Sequence, residues 1–406
     1  MQGRSLLGKR SSFSNFPTAK SPASPSRETS SGSSGSRGNG SVYMHQPSAS
    51  ASGIAHPFSR TPVASVPPQR PAYFEAHWPL YAASWSNPDW TGAEYVAVGT
   101  FTEDTHNRVQ VCRVDRSVDA LSGSPGMSFG TVGEAIVPYP ITKLAWEPAG
   151  PQKAGPVGGS VGPRLLSTSD CLRIWELELE TSKLHQRAAL VNKSKSEYTP
   201  PLTSFDWNRV EPSLVITSSI DTTCTVWDIS AQSARTQLIA HDSEVYDVAF
   251  AADSVDVFAS VGADGSVRVF DLRALDHSTI IYEPPQPVPL VRIAANPHDR
   301  NMLATIAADS NRIFVLDVRS PAVPIATLDG HQRAINSIAW NPGRRNLLAS
   351  GSDDCQVLLW DLNAEATAGP LVSAYTDPAE VNNVAWNASG DWLGVVGGKG
   401  FQGITI

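Results

Sequence analysis

His241 and Asp264 stand 23 residues apart, and His331 and Asp354 repeat that spacing, each pair with serines close by in the chain. A histidine between a serine and a carboxylate can perform nucleophilic acyl transfer, because the imidazole takes the serine proton while the carboxylate orients the ring. A catalytic set occurs once, however, and this one recurs at the same place in successive repeats. The duplication predicts a buried hydrogen-bond network, histidine to aspartate, with Trp360 joining the second copy, that ties the turn of one repeat to its neighbour. His77 is read similarly, as a structural histidine or a loop residue.

Metal and phosphate chemistry find no better footing. Asp170, Asp221, Asp264 and Asp309 fall in equivalent turns of four different repeats, so they cannot converge as metal ligands. The four cysteines, Cys112, Cys171, Cys224 and Cys355, form no CxxC pair, which fits neither a zinc site nor a disulfide framework and suits a reducing compartment. Gly155–Gly162 lacks the GK[ST] ending and strand–helix context of a phosphate cradle, so it reads as an insertion loop. The residues therefore predict no enzyme activity, no cofactor and no metal.

Composition divides the chain near residue 70. Residues 1–70 hold eight Lys/Arg against one acid, Glu28, in a background of Ser, Gly and Pro. Such a segment buries too little apolar surface to offset its ordering entropy, so 1–70 is expected to be a disordered basic tail. Ser21-Pro22, Ser24-Pro25 and Thr61-Pro62 in it fit proline-directed phosphorylation, which would lower its positive charge. Residues 71–406 keep 23 basic and 38 acidic residues, a net charge near −15. That balance argues against duplex DNA binding, which depends on neutralising phosphates. No apolar run approaches the roughly 20 residues that span a bilayer, and no signal-peptide core opens the chain. A soluble protein of nucleus and cytoplasm, without membrane contact, is expected.

The elements that position these residues come from a repeat. A short alternating pattern ending in an aromatic closes at Trp85, Trp146, Trp207, Phe250, Ala295 (a degenerate copy), Trp340 and Trp386. The seven ends are separated by 61, 61, 43, 45, 45 and 46 residues, and the last four gaps match one propeller blade. The longer gaps are ascribed to insertions, notably Ala149–Pro163. A strand pair follows each copy, such as Leu347–Ser350 and Val357–Asp361, joined by an Asp-containing turn. Trp227-Asp228 and Trp360-Asp361 supply the dipeptide of WD repeats. These features predict an all-β fold, a seven-bladed WD-repeat β-propeller over 71–406 behind the disordered N-terminal tail. Phe401–Ile406 reads as the third strand of the last blade, and residues around Pro71–Glu75 as the strand that completes it.

Residues that open each innermost strand are expected to lie near one rim and to vary on a fixed frame, as a partner-selecting surface would. They are Tyr81, Thr142, Thr203, Tyr246, Val291, Asn336 and Asn382, with Trp78 added from the preceding loop.

Two uninterrupted stretches go beyond the generic repeat. One runs from Pro201 through Asn208 to Thr217–Thr225; the other runs from Gln237 to Asp242 and continues through Phe258–Arg273 to His277–Glu283. Over about 72–406 they closely resemble the WD-repeat adaptors related to the plant protein transparent testa glabra, the petunia anthocyanin regulator and their animal counterpart. The tail and the Ala149–Pro163 insertion depart from that family. The resemblance implies a non-enzymatic scaffold. Animal members bind DYRK and HIPK kinases and serve as receptors of a cullin-RING ubiquitin ligase; plant members assemble with MYB and basic helix-loop-helix transcription factors. Expected partners are thus DYRK-like kinases, transcription factors or a cullin-ligase adaptor, around a monomeric propeller. A histone-tail or phosphopeptide reader using the central opening is a third reading. Cullin-adaptor WD proteins are similar in carrying Asp-x-Arg at the end of a third strand. Asp271–Arg273 and Asp317–Arg319 match it, although Trp is missing before each Asp. Each Arg is expected either to dock the ligase adaptor or to pair with an acid of its own blade.

Overall fold

The computed structural model describes residues 72–89, 91–118, 125–148, 162–191, 199–364 and 369–406. The tail 1–70 with its Ser-Pro and Thr-Pro sites, and most of the Ala149–Pro163 insertion, lie outside the described residues. The described residues are all-β: 28 strands in seven four-stranded antiparallel sheets. This is the seven-bladed propeller that the repeat predicts. Blade 1 spans 80–137, blade 2 143–190, blade 3 202–239, blade 4 245–282, blade 5 290–329 and blade 6 335–376. Blade 7 takes three strands from 381–405 and its outermost from Tyr73–Glu75. The innermost strands neighbour one another in a closed ring.

The local pattern explains why these residues form blades. Two residues before each repeat aromatic stands Leu144, Phe205, Val248, Ile293, Ile338 or Val384, all buried, while the residues on either side face the other way. A blade therefore has two faces to cover, and it covers them against its neighbours. One apolar slab joins Tyr81, Val109 and Tyr95 of blade 1 to Trp146, Leu165 and Trp175 of blade 2. Another joins Ile216, Val226 and Cys224 of blade 3 to Val248, Phe258 and Phe270 of blade 4. The core thus sits between blades, as in other repeat architectures.

Blade 1 owes its length to ordered structure. Asn107–Val118 pairs with Pro125–Val137 along a hairpin of 12 and 13 residues, the longest strands described.

Closure joins distant parts of the chain. Tyr73 pairs with Gln402, Phe74 with Phe401 and Glu75 with Gly400. The buried Gln402 side chain donates to the Ala72 carbonyl at 3.2 Å. Phe401 meets Trp85 and Phe129 edge-on, which locks blade 7 to blade 1. Gly400 has to be glycine, because a Cβ there would lie 2.6 Å from the Tyr73 ring.

Candidate functional site: the channel and its rims

The histidine pairs form the network that the spacing predicts, with a serine at its centre. In blade 6, His331 Nδ1 lies 2.9 Å from Asp354 and Nε2 lies 2.7 Å from Ser350 Oγ. Ser350 Oγ also accepts the Trp360 indole N–H at 2.9 Å. Burial lowers the His331 pKa and outweighs the pull of Asp354, so the neutral ring donates from Nδ1 to the carboxylate and accepts at Nε2 from the serine. Burial pushes Asp354 up, but the Gln332 N–H and His331 outweigh it and hold the carboxyl below its ordinary range. Ser350 is wholly buried with its hydrogen bonds committed, so this Ser-His-Asp set cannot reach a substrate. Blade 4 repeats the set with His241, Asp264 and Ser260, but Phe270 replaces the tryptophan. Blades 2 and 3 keep only the other half, Trp175 to Ser167 and Trp227 to Thr217, each at 2.9 Å.

The strand-opening residues require a correction. Tyr81, Thr142, Thr203, Val291 and Asn336 are buried, and so are unavailable to a partner. In six of the seven blades the physical reason is a register shift at this position, whereas Thr142 of blade 2 stands just before its strand, where no shift occurs. A bulge re-aims its side chain, and here it aims it at the next blade. Thr142 donates to the Leu202 carbonyl at 3.0 Å and Thr203 to Val245 at 2.6 Å. Asn336 donates to Val381 at 3.0 Å, and Asn382 crosses the closure to Leu80 at 2.9 Å. These positions clasp the ring together. Tyr246 is only partly buried. Trp78 is also partly buried and carries the Arg108 guanidinium 4.0 Å above its ring, while Arg108 pairs with Glu134.

One residue further along each strand stand the side chains that line the channel: Lys143, Ser204, Asp247, Arg292, Ser337 and Asn383. Here the charges differ from blade to blade. Lys143 reaches over blade 3 to Asp247, 3.3 Å away. Asp247 also accepts from Ser204 and from the N–H groups of Val248 and Ile293. Arg292 of blade 5 spans to the Tyr81 hydroxyl of blade 1 at 3.0 Å. These two struts narrow the central opening, which weighs against threading a histone tail or phosphopeptide through it. Next to the aromatic, Ser84, Asp206, Ala249, Ala294 and Ala339 wall a cavity of about 370 Å³.

On the rim where first and third strands end, the two Asp-x-Arg elements take one geometry. Arg273 places Nε 2.9 Å and Nη2 2.5 Å from the Asp271 carboxylate; Arg319 does the same to Asp317 at 2.9 and 2.6 Å. The arginine side chains are nonetheless 69% and 66% exposed. The Arg273 fork and its backbone N–H bring Asp271 down to about 2, and Asp317 is lowered in the same way. Of the two expectations for these arginines, pairing within the blade is observed. The pairing fixes the guanidinium plane while the side chain stays exposed.

A further repeated position escaped the sequence reading. Asn208, Asn341 and Asn387 follow the repeat aromatic, Asn296 follows its degenerate copy Ala295, and all four are wholly or almost wholly buried. Asn341 caps Gly343 and Arg344 with Oδ1 and reaches the Gly390 carbonyl of blade 7 with Nδ2. Asn208 does likewise toward Ser254 of blade 4. Their recurrence after the aromatic was the available signal.

The WD domain, G-beta repeat model matches residues 232–271 and 322–361, the two segments that hold the His-Asp-Ser networks. A WD repeat-containing protein of Saccharomyces cerevisiae is 37% identical over 82% of this chain and 76% of its own length. An uncharacterized WD repeat-containing protein of Schizosaccharomyces pombe is 37% identical, covering 82% of this chain and 89% of itself. A DDB1- and CUL4-associated factor 7 homolog of Dictyostelium discoideum is 43% identical over 79% of this chain and 94% of its own length. Likeness over about four fifths of the chain reaches well beyond isolated repeats, and the chain belongs to the WD-repeat family that includes these relatives.

Proposed function

We propose that this propeller is a substrate receptor of a cullin-RING ubiquitin ligase, docking the ligase's adaptor subunit through Arg273 and Arg319. The supporting observation is the pair of Asp-fixed, exposed guanidinium groups in successive blades. A planar fork already held by its own aspartate loses little freedom on binding, and it can donate to a partner's carboxylate or carbonyls in a way lysine does not reproduce. The name of the Dictyostelium relative points in the same direction.

A second reading is a scaffold for DYRK-like kinases or transcription factors, and it is compatible with the first. It draws on the Trp78–Arg108 stack, a partly exposed aromatic in the loop before the first innermost strand, on the rim opposite the arginines. Either role suits a protein of nucleus and cytoplasm. The test is affinity purification of tagged full-length protein from cells. Arg273→Ala with Arg319→Ala should remove cullin-ligase subunits from the eluate and leave a co-purifying kinase in place; Trp78→Ala should do the reverse. Retention of the ligase by the double arginine variant overturns the docking proposal.

A further inference from the structure

The cavity at the cross-channel struts forms a cup. Lys143, Asp247 and Arg292 form its floor, and Ser84, Asp206, Ala249, Ala294 and Ala339 its walls. Its mouth, at the end of the innermost strands, is edged by Arg209, Asp253 and Pro297. The walls are small, and apolar except at Ser84 and Asp206. The position before the repeat aromatic is alanine in five blades and serine in blade 1; in blade 3 it is Asp206. We propose that this cup binds a basic side chain, an arginine or lysine presented by a partner polypeptide, with Asp206 as its counter-charge.

The charges of the cup differ in how fully they are used. Asp247 is saturated by Lys143, the Ser204 hydroxyl and two backbone N–H groups, and Lys143 is committed to it. Arg292 is held by the Tyr81 hydroxyl and the Asn336 carbonyl. Arg209 is exposed at the mouth. Asp206 accepts the Phe250 N–H at 2.7 Å, and among the described residues no cation comes within ion-pair distance of it. Burial raises its pKa, with Asp247 adding to the rise, against the pull of Lys143, the Phe250 N–H and Arg209. A partly buried carboxylate with unused acceptor capacity gains from a further donor. The alanine walls suit an aliphatic stem, and the carboxylate suits the cation at its tip. This site is separate from the arginine clamps, and its test does not depend on ligase docking.

The probes are the blocked tripeptides acetyl-Gly-Arg-Gly-amide, its Lys analogue and its Glu analogue, titrated into the full chain by ligand-observed NMR. The basic peptides should bind saturably with dissociation constants on the order of a millimolar, as expected for one anchored side chain, and the Glu peptide should not. Asp206→Asn keeps the size and the acceptor for Phe250 but removes the charge, and should weaken basic-peptide binding at least tenfold. Ala339→Leu narrows the cup without touching the carboxylate and should weaken it as well, with melting temperature checking the fold of both variants. Absence of saturable binding to the wild type, preference for the Glu peptide, or undiminished binding by Asp206→Asn overturns the proposal.

Discussion

Replacing Ser350 by alanine tests the buried network where it is most complete. The hydroxyl serves two buried partners at once, accepting from the Trp360 indole and donating to His331 Nε2. Its loss orphans one donor and one acceptor, each at about 1–3 kcal/mol, so Ser350→Ala should destabilise the protein by about 2–6 kcal/mol. Ser260 holds the same place in blade 4, but Phe270 stands where the tryptophan would be. Ser260→Ala orphans only His241 Nε2 and should cost about 1–3 kcal/mol. The comparison holds residue type, burial and strand position constant, so the difference isolates the indole bond. Urea denaturation followed by circular dichroism measures both. Trp360→Phe in the Ser350→Ala background closes the cycle: with the donor gone, the serine change should cost about 1–2 kcal/mol less than in the wild type. Equal losses in the two blades, or no coupling between Ser350 and Trp360, would refute the shared-hydroxyl account.

Acid should weaken the fold in two stages. Burial lowers the His331 pKa, so below about pH 6.5 the unfolded chain binds a proton that the folded one refuses, and stability falls from there. Asp354, also lowered, adds a second loss as pH drops below about 4. Urea midpoints at pH 7.5, 6 and 5 should decline for the wild type and flatten for His331→Gln. Thr203→Val removes a clasp to the Val245 carbonyl and should cost about 1–2 kcal/mol in a thermal melt while leaving co-purified partners unchanged, because the residue is buried.

Much of this architecture was legible because burial and alternation reinforce each other. The apolar residue two before each aromatic, and the aromatic itself, mark the faces that blades press together, so blade number followed from them. The His-Asp spacing was equally legible, since the same 23 residues separate the partners wherever the turn is conserved in form. The channel was missed by one residue. A bulge shifts the strand opening, and the residues at it, Tyr81, Thr203, Tyr246, Val291, Asn336 and Asn382, share no chemical type that would announce it. Counting back from the aromatic therefore selected the clasp instead of the adjacent Lys143, Asp247 and Arg292. The Asp-x-Arg spacing was visible, but whether the aspartate holds its own arginine depends on side-chain rotamers that spacing does not encode.

The three-residue closing strand shapes how the protein must fold. Six blades are built from contiguous sequence and can form as hairpins soon after they leave the ribosome. The seventh joins Ala72 to Gln402, groups 330 residues apart in the chain. Closure entropy rises with that separation, and contacts of such high order form late. Until they form, the third strand of blade 7 lacks its outer partner and the facing sides of blades 7 and 1 stay uncovered, with Phe401, Trp85 and Leu80 exposed to water. The ring therefore passes through an open state with two sticky ends, and in that state, more than in any blade interior, a chaperone has something to hold.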